Sequence, residues 1–226
     1  MRLALFDLDH TLLDGDSDTL WCEFLIEREV LDAASFGERN AQMTRDYRAG
    51  NVGTQAFCEF YVATLAARTR AEWDPLRAQF MRDVIAPRMG TAAQSLVRQH
   101  RHAGDLVLLT TATNRYIAEP AAEHLGIEHL IATECEADAA GNFTGRTVGL
   151  LNMREGKVDR LMGWLSARGL AWADCDATFY SDSINDLALL AAVRRPMATN
   201  PDARLAAVAA ERGWPIVWLH GTGTAA

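Results

Sequence analysis

Asp7, Asp9 and Thr11 form a D-x-D-x-T arrangement directly behind a short apolar run, Leu3 to Phe6. Such a run reads as a buried parallel strand whose end delivers two carboxylates and free backbone N–H groups to one pocket. An acidic pair alone decides little, because a solvated loop is also acidic. Complementary groups stand elsewhere: Thr111 after Leu106 to Thr110, Lys157 at a helix start, and Asp182, Asn185 and Asp186 after Ala177 to Tyr180. In an open α/β sheet such strand ends converge on one crevice. A hydroxyl, a cation and a second acidic cluster meeting an acidic pair supply what phosphoryl transfer through a carboxylate needs. These needs are a nucleophile, metal ligands and neutralisation of the phosphate oxygens.

The intervening chain predicts how these groups are carried. From about Asp18 to Ile85 apolar residues recur at helical intervals: Leu20, Phe24 and Leu25, then Phe57, Phe60, Tyr61 and Leu65, then Leu76, Phe80 and Ile85. Past Gly90 helices and strands alternate: a helix over Ala92–Ala103 stopped by Gly104, a strand over Leu106–Thr110, a helix over Glu119–Leu125, and an apolar run over Ile127–Thr133. Gly141 and Asn142 can turn a hairpin, and Lys157 opens a helix that stops at Gly169. Ala177–Tyr180, Pro196–Thr199 and Ile216–Leu219 read as strands and Asp186–Val193 as helix, with Asn200 and Pro201 as the cap and first-turn proline of another.

This succession predicts an α/β fold, a Rossmann-like and mostly parallel sheet with helices on both faces. The expected organisation is a core of residues 1–14 and 90–226, with residues 15–89 as a helical insertion after the first strand. Gly15 and Arg88–Thr91 are the expected hinges, since both chain crossings lie there. Only the terminal GTGTAA reads as disordered.

Composition narrows the partners. With 30 acidic and 22 basic residues the formal charge is -8, so no broad basic surface is expected for nucleic acid or an anionic membrane. Cys22, Cys58, Cys135 and Cys175 are scattered without a C-x-x-C pair, which argues for free thiols in a reducing compartment rather than for zinc. The opening MRLALFDLDHT carries an apolar run too short for a signal peptide or a membrane span, so a cytoplasmic location is expected.

Taken in order, DLDHT, LLTTAT, Lys157 and YSDSINDLALL resemble the four motifs of the haloacid dehalogenase (HAD) superfamily, in its phosphoserine-phosphatase-like branch (subfamily IB). The insertion sits where that branch carries its helical cap. The resemblance implies a Mg²⁺-dependent phosphomonoester hydrolase. In it Asp7 is the nucleophile, and Asp9 is the acid that protonates the leaving alkoxide and then the base that activates water. It implies Mg²⁺ on Asp7, Asp182 and the backbone carbonyl of Asp9, with Asp186 behind that shell. Thr111, Lys157 and Asn185 join the backbone of Leu8, Asp9 and Ala112 around the phosphate. His10 receives no role.

The same resemblance bears on substrate. Asp16 or Asp18 matches the acid that holds a substrate ammonium in phosphoserine phosphatases. The segment TQAFCEFYVA, where an arginine for the substrate carboxylate is expected, has no basic residue, leaving Arg45, Arg48 or Arg68 as substitutes. The expectation is a small amine-bearing phosphomonoester without a carboxylate, such as histidinol phosphate, phosphoethanolamine or phosphocholine. Asp16, Asp18, Glu23 and Glu59 would be its acidic contacts, and Trp21 and Tyr61 its aromatic walls. Three alternatives are a phosphoserine phosphatase, a receiver-like phospho-accepting signalling protein, and a phosphotransferase. Asp9 argues against the receiver, because turnover needs an acid and base beside the nucleophile.

Overall fold

The structure is a computed structural model that describes residues 1–49 and 51–221. The Arg48 side chain, expected as a substitute carboxylate contact, and the tail beyond Gly221, expected as disordered, lie outside the described residues.

Strand β1 (Arg2–Phe6) lies in the middle of a seven-stranded sheet. Its alternating side chains separate two apolar layers. Leu3 and Leu5 pack with Leu108 and Phe179 on one face, while Ala4 and Phe6 pack with Val107, Leu109 and Tyr180 on the other. All four of these β1 residues are at most 1% exposed, which is why the run is apolar on both parities. Strands β2 (Leu106–Asn114) and β5 (Asp176–Ser181) flank β1 in parallel, so Phe6 faces Leu109 and Tyr180 in register. Beyond β2 lie β3 (His129–Ala137) and the antiparallel β4 (Phe143–Val148); beyond β5 lie β6 (Arg195–Thr199) and β7 (Ile216–Val217). The expected fold class is therefore observed, and β4 is the one antiparallel member among the described strands. The hairpin joining it to β3 turns where Asp138 accepts from the amides of Ala140 and Asn142.

Between β1 and β2 the chain is helical: α1 (Ser17–Glu27), α2 (Ala33–Ala49), α3 (Thr54–Val62) and α4 (Arg70–Phe80), then a π turn over Met81–Ile85, a 3-10 turn over Ala86–Arg88, and α5 (Thr91–His102). The apolar layer holding Phe6 continues without a break through Trp21, Phe24, Trp73 and Phe80. Leu12, Leu13, Ile85 and Met89, at the two chain crossings, are at most 2% exposed, and the Asp14 amide donates to Arg88 O at 3.1 Å. The crossings expected as hinges are thus packed core: a Cβ on Gly15 would meet Leu20 Cδ1 at 2.9 Å. A separate small cluster, Cys22, Phe36 and Tyr61, joins α1 to α2 and α3.

After β2 come α6 (Arg115–His124), α7 (Glu155–Ser166), α8 (Leu187–Ala192) and α9 (Ala203–Arg212). Helix α6 starts four residues earlier than expected, because Asn114 caps it by accepting from Ile117 N at 3.2 Å. Pro120 inside it deprives Tyr116 O of its helical donor, and Arg77 of α4 supplies one at 3.1 Å. Helix α9 is capped by Asp202, not Asn200, whose φ of 47° commits it elsewhere. No described helix is long and apolar enough to cross a membrane.

Candidate active site

The loop after β1 is folded on Leu8, whose carbonyl accepts the amides of Thr11, Leu12 and Leu13. This tight winding takes His10 to a φ of 54°. Asn200 fixes the loop from outside, donating to His10 O at 2.9 Å and Thr11 O at 3.1 Å, while its own oxygen accepts Leu219 N. Thr11 stabilises the loop. Its hydroxyl accepts Asp182 N at 3.0 Å and lies 3.2 Å from Asp182 Oδ1, tying the first motif to the end of β5.

Lys157 projects from the first turn of α7 into the centre of this edge, 2% exposed. Its ammonium donates to Asp7 Oδ1 and to Asp186 Oδ2, each at 2.7 Å. Ser181 donates to the same Asp186 oxygen at 2.7 Å. Burial pushes the Asp7 carboxyl up to about 7 against the pull of Lys157, with Asp186 and Asp9 adding to the rise. Burial and then the charges of Asp7 and Asp186 push Asp182 well above the usual carboxylate range. For Lys157 burial opposes the charge, but Asp186 and Asp7 outweigh it and keep the amine protonated above its ordinary value.

Asp9 is held differently. Its Oδ1 accepts Ser17 N at 2.7 Å and its Oδ2 accepts the Thr113 hydroxyl at 2.5 Å; Ser17 Oγ and Thr113 Oγ1 are 3.0 Å apart. Burial raises Asp9 to about 6, with Asp16 adding and the Thr113 and Ser17 hydrogen bonds restraining it. Thr113 and Thr111 come from the end of β2, where the register with β3 breaks between Thr110 and Asn114 and frees Thr111 and Ala112 from that ladder. Neither threonine caps α6. Thr111 Oγ1 instead accepts Thr113 N at 3.2 Å.

The turn that presents Lys157 is anchored by Asn152, which nothing but its residue type marks along the chain. Fully buried, it donates through Nδ2 to Thr110 Oγ1, Thr111 O and Ile131 O, and its amide donates to Thr133 Oγ1. Gly156 is required here, since a Cβ would meet Leu151 O at 2.2 Å. Arg154 lies between them at φ 53°, ψ −127°, backbone normally left to glycine.

Asp7, Asp9, Thr113, Arg154, Lys157, Asp182 and Asp186 line one cavity of about 1240 Å³, together with Ala112, Asn185, Asp16, Asp18 and Tyr61, whereas the fully buried Thr111 lies behind this lining. Nine carboxylates line it against three Lys or Arg side chains. Asp16 caps α1, accepting Thr19 N at 2.7 Å. Asp18 Oδ1 accepts Asn114 Nδ2 at 3.1 Å, and among the described residues its other oxygen has no donor. Burial, then Asp16 and Asp9, push Asp18 well above its ordinary value.

Two expected substrate contacts are not in the cavity. Glu59 is outside the cavity lining and accepts Gln55 along α3, on the side where Gln55 also reaches Thr147 of β4. Trp21, 2% exposed, is buried between Phe24, Trp73 and Phe80. The aromatic wall is instead Tyr61 with Tyr47 and Phe57, the last two stacked at 4.1 Å. Arg45 is exposed and bonded to Gln42, and Arg68 lies over Trp73, so neither lines the cavity.

The inner site fits a hard divalent cation. Asp7 and Asp186 share one buried cation, Lys157, and with Asp182 beside them the cluster carries excess negative charge. Among the described residues no three His, Cys, Asp or Glu side chains form a ready-made metal cluster. Both side-chain oxygens of Asp9 are engaged by Ser17 and Thr113, so Asp9 could join Asp7 and Asp182 only through its backbone carbonyl, with water completing an all-oxygen shell.

Residues 4–191 match the model of the haloacid dehalogenase-like hydrolases. The chain is 40% identical over 217 residues to a histidinol-phosphatase of Neisseria meningitidis, covering 96% of this chain and 98% of that one. It is 33% identical to a phosphoserine phosphatase of Mycobacterium tuberculosis, over 94% of this chain and 69% of that one. A crystal structure of a Bordetella pertussis protein of unknown function superposes with a TM-score of 0.93 at 44% identity, covering 97% and 99% of the two chains. A substrate-bound phosphoserine phosphatase superposes with a TM-score of 0.66 over 95% and 91%; at 15% identity it shares the fold alone. These likenesses leave no place for the receiver-like alternative. The chain belongs to the haloacid dehalogenase-like hydrolases and, among them, to the phosphatases.

Proposed function

We propose that the chain hydrolyses a small amine-bearing phosphomonoester through an aspartyl phosphate on Asp7, with histidinol phosphate as the leading candidate. The observation that carries the reaction is Lys157 held 2.7 Å from both Asp7 and Asp186 at the floor of a cavity that also holds Asp9. Asp7 Oδ2, which accepts no hydrogen bond among the described residues, attacks phosphorus as the bond to the leaving oxygen breaks. Asp9 gives its proton to that oxygen. It then takes a proton from the water that attacks phosphorus, and the bond to Asp7 breaks. A carboxyl near 6 can do both at neutral pH, and the paired donors Ser17 and Thr113 hold it in one orientation. Thr111, Lys157, Asn185 and the backbone of Leu8 and Ala112 bind the phosphate oxygens, while Asp186 orients Lys157. Mg²⁺, on Asp7, Asp182 and the Asp9 carbonyl, would supply charge neutralisation at the phosphoryl group.

Asp18 supports the amine. A half-buried carboxyl in the cavity wall without a cationic partner is stabilised by a ligand that brings one. The 40% identical histidinol-phosphatase supports the same reading. Residues 15–89 act as a cap in it, with α2 and α3 roofing the cavity from a cluster of their own. The four free cysteines favour a cytoplasmic location.

The test is Mg²⁺-dependent phosphate release from histidinol phosphate, O-phosphoserine, phosphoethanolamine, phosphocholine and sugar phosphates, with Asp7→Asn as control. An amine phosphate without a carboxylate should lead. Asp18→Asn should raise its KM about tenfold or more and leave sugar phosphates unchanged, as loss of a charge-assisted contact requires. O-Phosphoserine in first place would refute the amine assignment. Phosphate appearing on an added alcohol in preference to water would make the enzyme a phosphotransferase.

A further inference from the structure

The cavity lined by Lys157 has a second cation from the same turn in its wall. Arg154 lines it from the same turn, three residues before Lys157, and its guanidinium donates to the Tyr47 hydroxyl of α2 at 3.3 Å and lies 5.6 Å from that ring's centroid. The Tyr47 hydroxyl in turn donates to Met153 Sδ at 3.4 Å. Tyr47 is a neutral partner and Arg154 is exposed, so among the described residues no carboxylate is paired with the guanidinium.

Charge accounting gives that cation a task. Lys157 spends two of its three N–H groups on Asp7 and Asp186, which leaves one for a phosphate. Nine carboxylates line a cavity that a phosphate dianion has to enter, and Lys157, Arg154 and Arg204 are its Lys and Arg side chains. Arg204 is on α9, behind β6 and two strands away from β1. Arg154 is on the turn that Asn152 fastens to Thr110 and Thr111. Its backbone is strained for any residue but glycine, and such strain persists where the surroundings over-determine it at a working position. A glycine would relieve the strain, and what it would lack is the guanidinium.

We propose that Arg154 is a phosphate-binding residue of the site, resting on Tyr47 in the unliganded chain and transferring its N–H donors to the phosphoryl oxygens when substrate enters. This inference rests on the phosphatase reading and adds to it a contact that is independent of the leaving group. It also makes Tyr47 of α2 a competitor of phosphate, so that capture of the phosphoryl group releases one tie between the roof and the floor.

The experiment is calorimetric titration of inorganic phosphate into the Mg²⁺-loaded protein, with the inhibition constant of phosphate in parallel. Arg154→Gln should weaken phosphate about ten- to a hundredfold, as loss of a charged hydrogen-bond donor does. It should raise KM by a common factor for all phosphomonoesters, with kcat little changed. Arg154→Lys should recover part of the loss. Arg154→Gly should lose phosphate affinity equally while melting no lower than the parent, a combination that a merely structural arginine would not give. Tyr47→Phe should bind phosphate as well as the parent or better. Unchanged phosphate affinity in Arg154→Gln or Arg154→Gly would overturn the proposal, and so would an effect confined to carboxylate-bearing substrates. If the parent hydrolyses nothing, the functional reading fails, yet the phosphate titration still judges Arg154.

Discussion

Thr113 donates its hydroxyl hydrogen to Asp9 Oδ2 at 2.5 Å from the far end of β2, 104 residues along the chain. With Ser17 on the other oxygen, it makes Asp9 a fixed carboxyl apart from the Lys157 group. The two carboxyls of the first motif therefore have different neighbours: a buried cation for Asp7, two neutral donors for Asp9. That difference lets one be the nucleophile and the other the proton carrier.

Thr113→Val removes a hydrogen bond that favours the charged form of Asp9, so the carboxyl should rise above its present value of about 6. The limb of the pH–rate profile that Asp9 controls should move up by roughly half to one unit. Profiles of kcat/KM for the two proteins check this, and a limb that stays put or moves down would remove Asp9 from the proton-carrying role.

Lys157→Met leaves Asp7 and Asp186 without the cation they share. Stripping one partner from a buried ion network should destabilise the chain by about 3–5 kcal/mol at pH 7.5. The loss should shrink toward pH 5, where the carboxyls take up protons. Urea melts at the two pH values measure both, and hydrolysis should fall a hundredfold or more with the phosphate contact gone.

The acid cluster should make the metal-free protein less stable as pH rises. Asp7 near 7 and Asp9 near 6 both lie above the ordinary value of 3.8. Between about pH 4 and 7 the folded chain therefore holds more protons than the unfolded one, and stability falls across that window. Asp7→Asn should melt higher than the parent at pH 8 without metal, by about 2–4 °C. MgCl₂ should raise the parent's melting temperature and flatten its pH slope, and Asp182→Asn should respond less to the salt. A melting temperature that climbs from pH 5 to pH 8 in EDTA would contradict the charge balance described above.

Asn152→Ala strips three side-chain hydrogen bonds from the junction of β2, β3 and the Lys157 turn. Two carbonyls and a buried hydroxyl lose their donor, which should cost about 2–4 kcal/mol. Because the same turn aims Lys157, kcat should fall together with stability. Denaturation and steady-state rates on the same preparation check both; an intact kcat would make Asn152 purely a matter of folding.

Much of this was legible in the chain. The apolar runs ending in Asp7, Thr111 and Asp182 are strands of one sheet, because residues buried on both faces must be apolar in continuous runs and polar only where the strand leaves the core. The four motifs in order specified the family, and Lys157 meets Asp7 across 150 residues as that order implied. The start of α6 was misread, because Asn114 is a cap only once its side chain turns back on Ile117.

What the sequence could not decide is which way a side chain faces when two neighbours compete for it. Glu59 and Trp21 had the types for a substrate pocket, yet helix phase turned one away from the cavity and tertiary packing drew the other into the core. Ser17, Thr113, Asn152 and Arg154 look ordinary as letters. They became functional candidates only when the fold brought distant hydrogen-bond partners within 3.5 Å, since short-range pattern encodes local structure and burial while these contacts are set by the three-dimensional closure of the loops.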